Sequence, residues 1–86
     1  MDVRFSKTAR KAIEKYDKST KQRIKAGIYK LTLTPPEGDI KLLQGYTDGR
    51  MRLRIGKYRI IFRYDTVGNV DILFIMDINS RGDIYK

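Results

Sequence analysis

The segment Arg50-Met-Arg-Leu-Arg-Ile-Gly-Lys-Tyr-Arg-Ile-Ile-Phe-Arg63 limits the fold more than any other part of the chain. Arg50, Arg52 and Arg54 alternate with Met51, Leu53 and Ile55. A strand sends successive side chains to opposite faces, so the three arginines share one side. Gly56-Lys57 fits a two-residue type II′ turn, in which glycine supplies the positive φ. That turn fixes a register. Ile55 faces Tyr58, Arg54 faces Arg59, Leu53 faces Ile60, Arg52 faces Ile61, and Arg50 faces Arg63. Opposed residues lie on the same face, so the spacing predicts a β-hairpin with one apolar face and one arginine face.

Arg54–Arg59 and Arg50–Arg63 are then like-charge pairs, which destabilise a sheet on the scale of ~0.2–1 kcal/mol each. A polyanionic ligand offsets that cost, because the fixed fork of arginine donors matches phosphate geometry. The wider composition agrees: 19 Lys+Arg stand against 10 Asp+Glu, a formal charge of +9. Such a field favours nucleic acid, an acidic protein or an anionic membrane surface. Residues 50 to 63 hold six of the basic residues and no acid, so the charge is focused rather than spread.

With 86 residues, the chain is expected to form a single domain, 1–86, around one modest core. It has no cysteine and no histidine. Disulfides, thiolate metal sites, Cys nucleophiles, His metal sites and Ser-His-Asp chemistry are therefore excluded. Met1 to Phe5 lacks the apolar core of a signal peptide, and the longest strictly apolar run, Ile72 to Met76, is too short to span a bilayer. A cytoplasmic, soluble protein without a membrane partner is expected.

Val3 and Phe5 suggest an opening strand. Ser6 is a good N-cap for a helix carrying Ala9, Ala12, Ile13 and Tyr16 at helical spacing. Asp17-Lys18 breaks that pattern, and Ser19 with Gln22 reads as a capping box for a second helix. Ile24, Ile28 and Leu31 give that helix its stripe, and Thr34-Pro35-Pro36 is expected to end it. Glu37 to Asp48 reads as a linker, with Leu42, Leu43 and Tyr46 tucked against the core. After the hairpin come a turn at Gly68-Asn69, a buried strand over Val70 to Ile78, and a loop over Asn79 to Asp83. The order β-α-α-β-β-β predicts an α+β fold: an N-terminal strand and helical hairpin packed on one face of an antiparallel β-sheet. The hairpin's arginines then line the other, open face.

Several residues have plainer readings. Asp71 and Asp77 share strand parity but lie six residues apart, and Asp83 falls in a loop, so solvation or pairing with arginine is preferred to a metal site. Met51 and Met76 read as core filler, and Tyr58 and Tyr64 as core packing. Lys7, Lys11, Lys15 and Lys18 keep helical spacing away from the Ala/Ile stripe. They form either a solvated helix face or a surface for docking on RNA phosphates.

Leu53-Arg-Ile-Gly-Lys-Tyr-Arg-Ile-Ile-Phe62, the buried strand, and Ser80-Arg-Gly-Asp-Ile-Tyr85 together resemble the RelE/ParE superfamily of bacterial toxins, over essentially the whole chain. The resemblance implies the toxin of a type II toxin–antitoxin system. RelE-like members are ribosome-dependent endoribonucleases that cut mRNA in the decoding site; ParE-like members poison DNA gyrase. The RelE branch uses positions that fall here on Arg52, Arg54, Arg59, Arg81 and Tyr85, which tips the reading towards RelE. Arg50, Lys57 and Arg63, with the four helical lysines, are the expected RNA contacts. No cofactor and no metal is implied. The implied partners are the ribosome, mRNA and a small RelB-like antitoxin with an acidic segment, the toxin being a monomeric unit of a hetero-oligomer. Two alternatives stand beside this reading: a ParE-like gyrase inhibitor, and an inactive relative that only binds antitoxin. Ser80 occupies a place where many relatives carry histidine, which rules out an imidazole there.

Cleaving RNA by internal transfer requires loss of the 2′-OH proton, stabilisation of the phosphorane-like transition state, and protonation of the 5′-oxygen. Arginines suit the second task and are poor at the first, since their pKa lies above about 12. At the positions the resemblance implies, Arg59 and Arg81 are expected to clamp the scissile phosphate, Arg52 and Arg54 to orient the RNA backbone and assist proton transfer, and Tyr85 to act as base or stacking platform.

Overall fold

The computed structural model of this chain describes residues 1–80. Its elements are β1 (Asp2–Phe5), α1 (Lys7–Glu14), α2 (Lys18–Lys30), β2 (Asp39–Leu42), β3 (Met51–Ile55), β4 (Tyr58–Val67) and β5 (Val70–Ser80). The strands form one sheet in the order β1-β5-β4-β3-β2. The predicted hairpin register is found: Ile55 pairs with Tyr58, Arg54 with Arg59, Leu53 with Ile60 and Arg52 with Ile61. Gly56 has φ +56°, and the φ of Lys57 is not positive, the sign pattern of a type II′ turn.

The α+β class holds, with both helices on one face. Ser6 caps α1: its Oγ accepts from the Ala9 amide at 3.0 Å and donates to the Met76 carbonyl at 2.6 Å. One side chain thus starts the helix and pins it to β5. Asp17, rather than Ser19, caps α2, its Oδ1 accepting from the Thr20 amide at 2.9 Å. The chain leaves α1 so tightly that Asp17 already has extended backbone, and a carboxylate there complements the helix dipole. The hydrogen bonds from Thr20 hold its pKa below the usual carboxylate value. The second helix stops at Lys30, several residues before the prolines. Its last carbonyls are taken up by Thr32 Oγ1 (to Tyr29 O, 2.6 Å), the Glu37 amide (to Lys30 O, 3.1 Å) and the Tyr64 hydroxyl (to Leu31 O, 2.7 Å). Burial raises the pKa of Tyr64, and Tyr58 and Tyr64 both pack against the core, as expected.

The helices contribute Ala9, Ile13, Ile24 and Ile28 to the core, with Leu31 at the C-cap; the sheet adds Leu53, Ile60, Phe62, Leu73, Ile75 and Ile78. Each large side chain so buried is worth roughly 1.5–3 kcal/mol before entropy is counted. A Cβ on Gly27 would collide with Ile55 Cδ1, so glycine there lets α2 approach β3.

Four features of the sheet differ from the sequence reading. First, the expected linker contains β2, which pairs antiparallel with β3 (Ile40 with Leu53, Leu42 with Met51), so the sheet has five strands. Second, β1 runs parallel to β5, with Val3 opposite Leu73 and Phe5 opposite Ile75, which makes the sheet mixed. Third, β5 continues through Ser80, so Asn79 and Ser80 belong to the strand and not to a loop. Fourth, β5 carries a bulge. Ile61 pairs with Asp77 but Phe62 with Ile75, which leaves Met76 as the extra residue. Strand parity flips there. Asp71, opposite Thr66, shares the parity of Leu73 and Ile75, whereas Asp77 lies on the arginine face, so the two carboxylates occupy opposite faces. Met51 packs against the core as expected, but Met76 borders the arginine face.

Candidate functional site

The sheet face left uncovered by the helices presents Arg52 and Arg54 from β3, Arg59, Ile61 and Arg63 from β4, Asp77 and Asn79 from β5, and Asp39 from β2. Arg50 sits just before β3. The predicted convergence of arginines is therefore present, and three carboxylates lie with it: Asp77, Asp39 and Asp48. Asp39 reaches Arg52 Nη1 at 3.5 Å and Arg54 Nε at 4.0 Å. Asp48 accepts from Arg50 Nη2 at 2.8 Å and Nε at 3.1 Å, and from Arg63 Nη1 at 3.4 Å. Asp39 and Asp48 are each shared between two guanidiniums, so these four arginines keep a positive surplus.

The arginines differ in burial. Arg52 is only 6% exposed and also donates to the Asp39 backbone carbonyl at 3.2 Å. The alternation placed it correctly but said nothing of this cover. Arg54 and Arg59 are half-buried. Arg63 lies 5.4 Å over the Phe74 ring, and its Nε is buried without a hydrogen-bond partner among the described residues. The Arg50 hydrogen bond is the main cause that brings the pKa of Asp48 down to about 2, and the same bond raises that of Arg50.

A groove of about 460 Å³ runs beside this cluster. Arg50 and Arg59 flank it, Leu43, Ile61 and Met76 give it apolar walls, and Asp77 and Asn79 stand at one side. Tyr46 also lines it, with the Arg50 guanidinium carbon 4.0 Å from its ring centroid. Leu42, Leu43 and Tyr46 were expected to tuck against the core. Leu42 and Tyr46 are instead 65% and 52% exposed, and Tyr46 with Leu43 serves the arginine face. The cause is the β2–β3 pairing, which turns residues 43 to 49 across that side; the Leu43 amide bonds the Arg50 carbonyl at 3.1 Å.

Lys57 is exposed at the hairpin tip, its Nζ 5.5 Å from the Tyr58 ring. Lys7, Lys11, Lys15 and Lys18 are exposed on the helical side and do not line the groove. Arg81 and Tyr85 lie outside the described residues. Sequence reasoning missed Asp39, Asp48 and Tyr46. A signal for Asp48 existed: an aspartate two residues before Arg50 is an Asx-turn pattern, and its Oδ1 accepts from the Arg50 amide at 3.2 Å. For Asp39 there was none, because its contact to Arg52 spans 13 residues.

The family model described as "ParE toxin of type II toxin-antitoxin system, parDE" matches residues 3–85. No curated protein matches the chain. Among solved structures, the RelB-RelE antitoxin-toxin complex from Methanococcus jannaschii is similar at a TM-score of 0.70 and 26% identity, over 94% of this chain and 93% of that one. The archaeal RelE-RelB complex from Pyrococcus horikoshii is similar at 0.66 and 27%, over 94% of each chain. The YoeB/ParE toxin from Agrobacterium tumefaciens shares the fold at a TM-score of 0.75, with 19% identity over 93% of this chain and 98% of that one.

Proposed function

Because the chain belongs to the ParE toxin family of type II toxin–antitoxin systems, we propose that its arginine face handles RNA and that the protein is a ribosome-dependent endoribonuclease of the RelE kind. The observation that carries this reading is the Arg54–Arg59 pair, held directly opposite each other on the helix-free face beside an open groove. A fold needs no such pair, and a phosphodiester offsets its repulsion.

In this mechanism the 2′-oxygen attacks the adjacent phosphorus. The bond to the 5′-oxygen breaks, leaving a 2′,3′-cyclic phosphate and a 5′-hydroxyl, while one proton passes from the 2′-oxygen to the 5′-oxygen. Arg59 and Arg81 hold the phosphate oxygens as charge develops, and Arg54 orients the backbone. Arg52, buried against Asp39, acts as a positioning residue that fixes β3 against β2. Tyr85 is the base or the stacking platform. The ribosome supplies the alignment, which can account for a large share of a barrier of this kind. A small antitoxin with an acidic segment is the proposed partner. RelB-RelE pairs among the similar structures support it, as does the positive surplus.

A second reading, a gyrase poison, draws support from the ParE description of the matching family and from the carboxylates that already occupy four of the arginines. Programmed ribosomes carrying mRNA, run beside a gyrase supercoiling reaction, separate the two. Cleavage that needs ribosomes, with gyrase unaffected, is expected. Gyrase inhibition without cleavage would overturn the nuclease reading.

A further inference from the structure

We propose that the groove beside Tyr46 is a seat for one nucleotide, with Tyr46 as the residue that holds the base. This deepens the nuclease reading, on which it rests, by naming where the RNA base next to the clamped phosphate sits. Three observations on separate elements converge there. Tyr46 is 52% exposed, and an arginine stacks on its ring at 4.0 Å. Stacked aromatic and guanidinium planes are what an unpaired base extends. The groove also has the two chemistries that a nucleotide requires: apolar walls from Ile61 and Met76, and guanidinium donors at its flanks from Arg59 and from Arg50, which Asp48 holds in place. Its volume of about 460 Å³ falls in the range of small-ligand sites, roughly 300–1,000 Å³.

The base edge meets Asp77. Its Oδ1 accepts from the Ile78 amide at 2.8 Å and its Oδ2 from Asn79 Nδ2 at 3.1 Å. Both oxygens of a carboxylate carry further lone pairs that can accept. Asp77 therefore takes an exocyclic amino group, as adenine, guanine and cytosine present, and disfavours the two carbonyls of uracil. The bulge at Met76 is what turns Asp77 towards this side.

The test is titration of the isotope-labelled chain with GMP and with UMP, followed by amide chemical shifts, for the wild type, Tyr46→Phe, Tyr46→Ala and Asp77→Asn. The spectra without ligand report on folding. Wild type and Tyr46→Phe are expected to bind GMP alike, with shifts at Ile61, Met76 and Asp77. Tyr46→Ala is expected to bind about 5- to 150-fold more weakly, the range that base–aromatic stacking spans. Asp77→Asn narrows the preference for GMP over UMP. Undiminished binding by a folded Tyr46→Ala, shifts confined to the helical lysines, or no GMP binding by wild type would overturn the proposal. Failure of the nuclease reading looks different: the seat binds in a Tyr46-dependent way while ribosomes with mRNA yield no cut.

Discussion

Arg52 is the side chain at which residue type and environment part company. Alternation puts it on the open face, yet it is 6% exposed, its stem packed and its guanidinium held by two atoms of Asp39. Truncation removes that packing as well as the charge. Arg52→Ala should lower stability by about 1–3 kcal/mol, read from the denaturation midpoint at constant slope. A variant as stable as wild type would show that Arg52 is free to serve RNA instead. Asp48 is the other informative residue. Hydrogen bonding by Arg50 lowers its pKa from 3.8 to about 2, so its contribution to stability is present above pH ~4 and is lost as the pH falls through ~2. Asp48→Asn lacks this contribution at every pH. Its thermal melting temperature should therefore fall less steeply than that of wild type over this window, and parallel curves would contradict the assignment.

At the level of elements, legibility followed the range of the interactions that decide each one. The β3–β4 hairpin was readable to the residue, because a two-residue turn and strict alternation are both local. α1 was readable for the same reason, since Ser6 lies next to the helix it caps. β2 was not. Asp39-Ile-Lys-Leu42 is a short, largely exposed segment that becomes a strand only because β3 offers an edge. The parallel pairing of β1 with β5 and the bulge at Met76 are likewise set by partners far along the chain, and the bulge moved Asp77 into the site. Thus the arginines of the face were legible, and Asp48 left a local signal, while Asp39, Asp77 and Tyr46 were not legible. Gly38 shows how tightly the entry to β2 is built. It has φ +136°, and a Cβ there would lie 2.6 Å from Leu53 Cδ1. Gly38→Ala should cost about 1–3 kcal/mol by urea denaturation; a neutral effect would mean that β2 is dispensable to the sheet.

The whole molecule divides its labour between two faces. One side of the sheet is covered by α1 and α2 and holds the core. The other is free of helices and carries a surplus of arginine beside a groove. A net charge of +9 on 86 residues gives long-range attraction to polyanions, and if the ligand is RNA the binding should weaken steeply with salt. Among the described residues no helix is long and apolar enough to cross a membrane.

The single-turnover rate of mRNA cutting on programmed ribosomes by Arg59→Leu, compared with wild type and read beside the thermal melts of both, puts the account to its most direct trial. Loss of one preorganised cation at the developing phosphate charge should slow cutting by about 100-fold or more, while both proteins remain folded with cooperative melts. A folded Arg59→Leu that cuts at the wild-type rate would contradict the claim that the helix-free face is where RNA is handled.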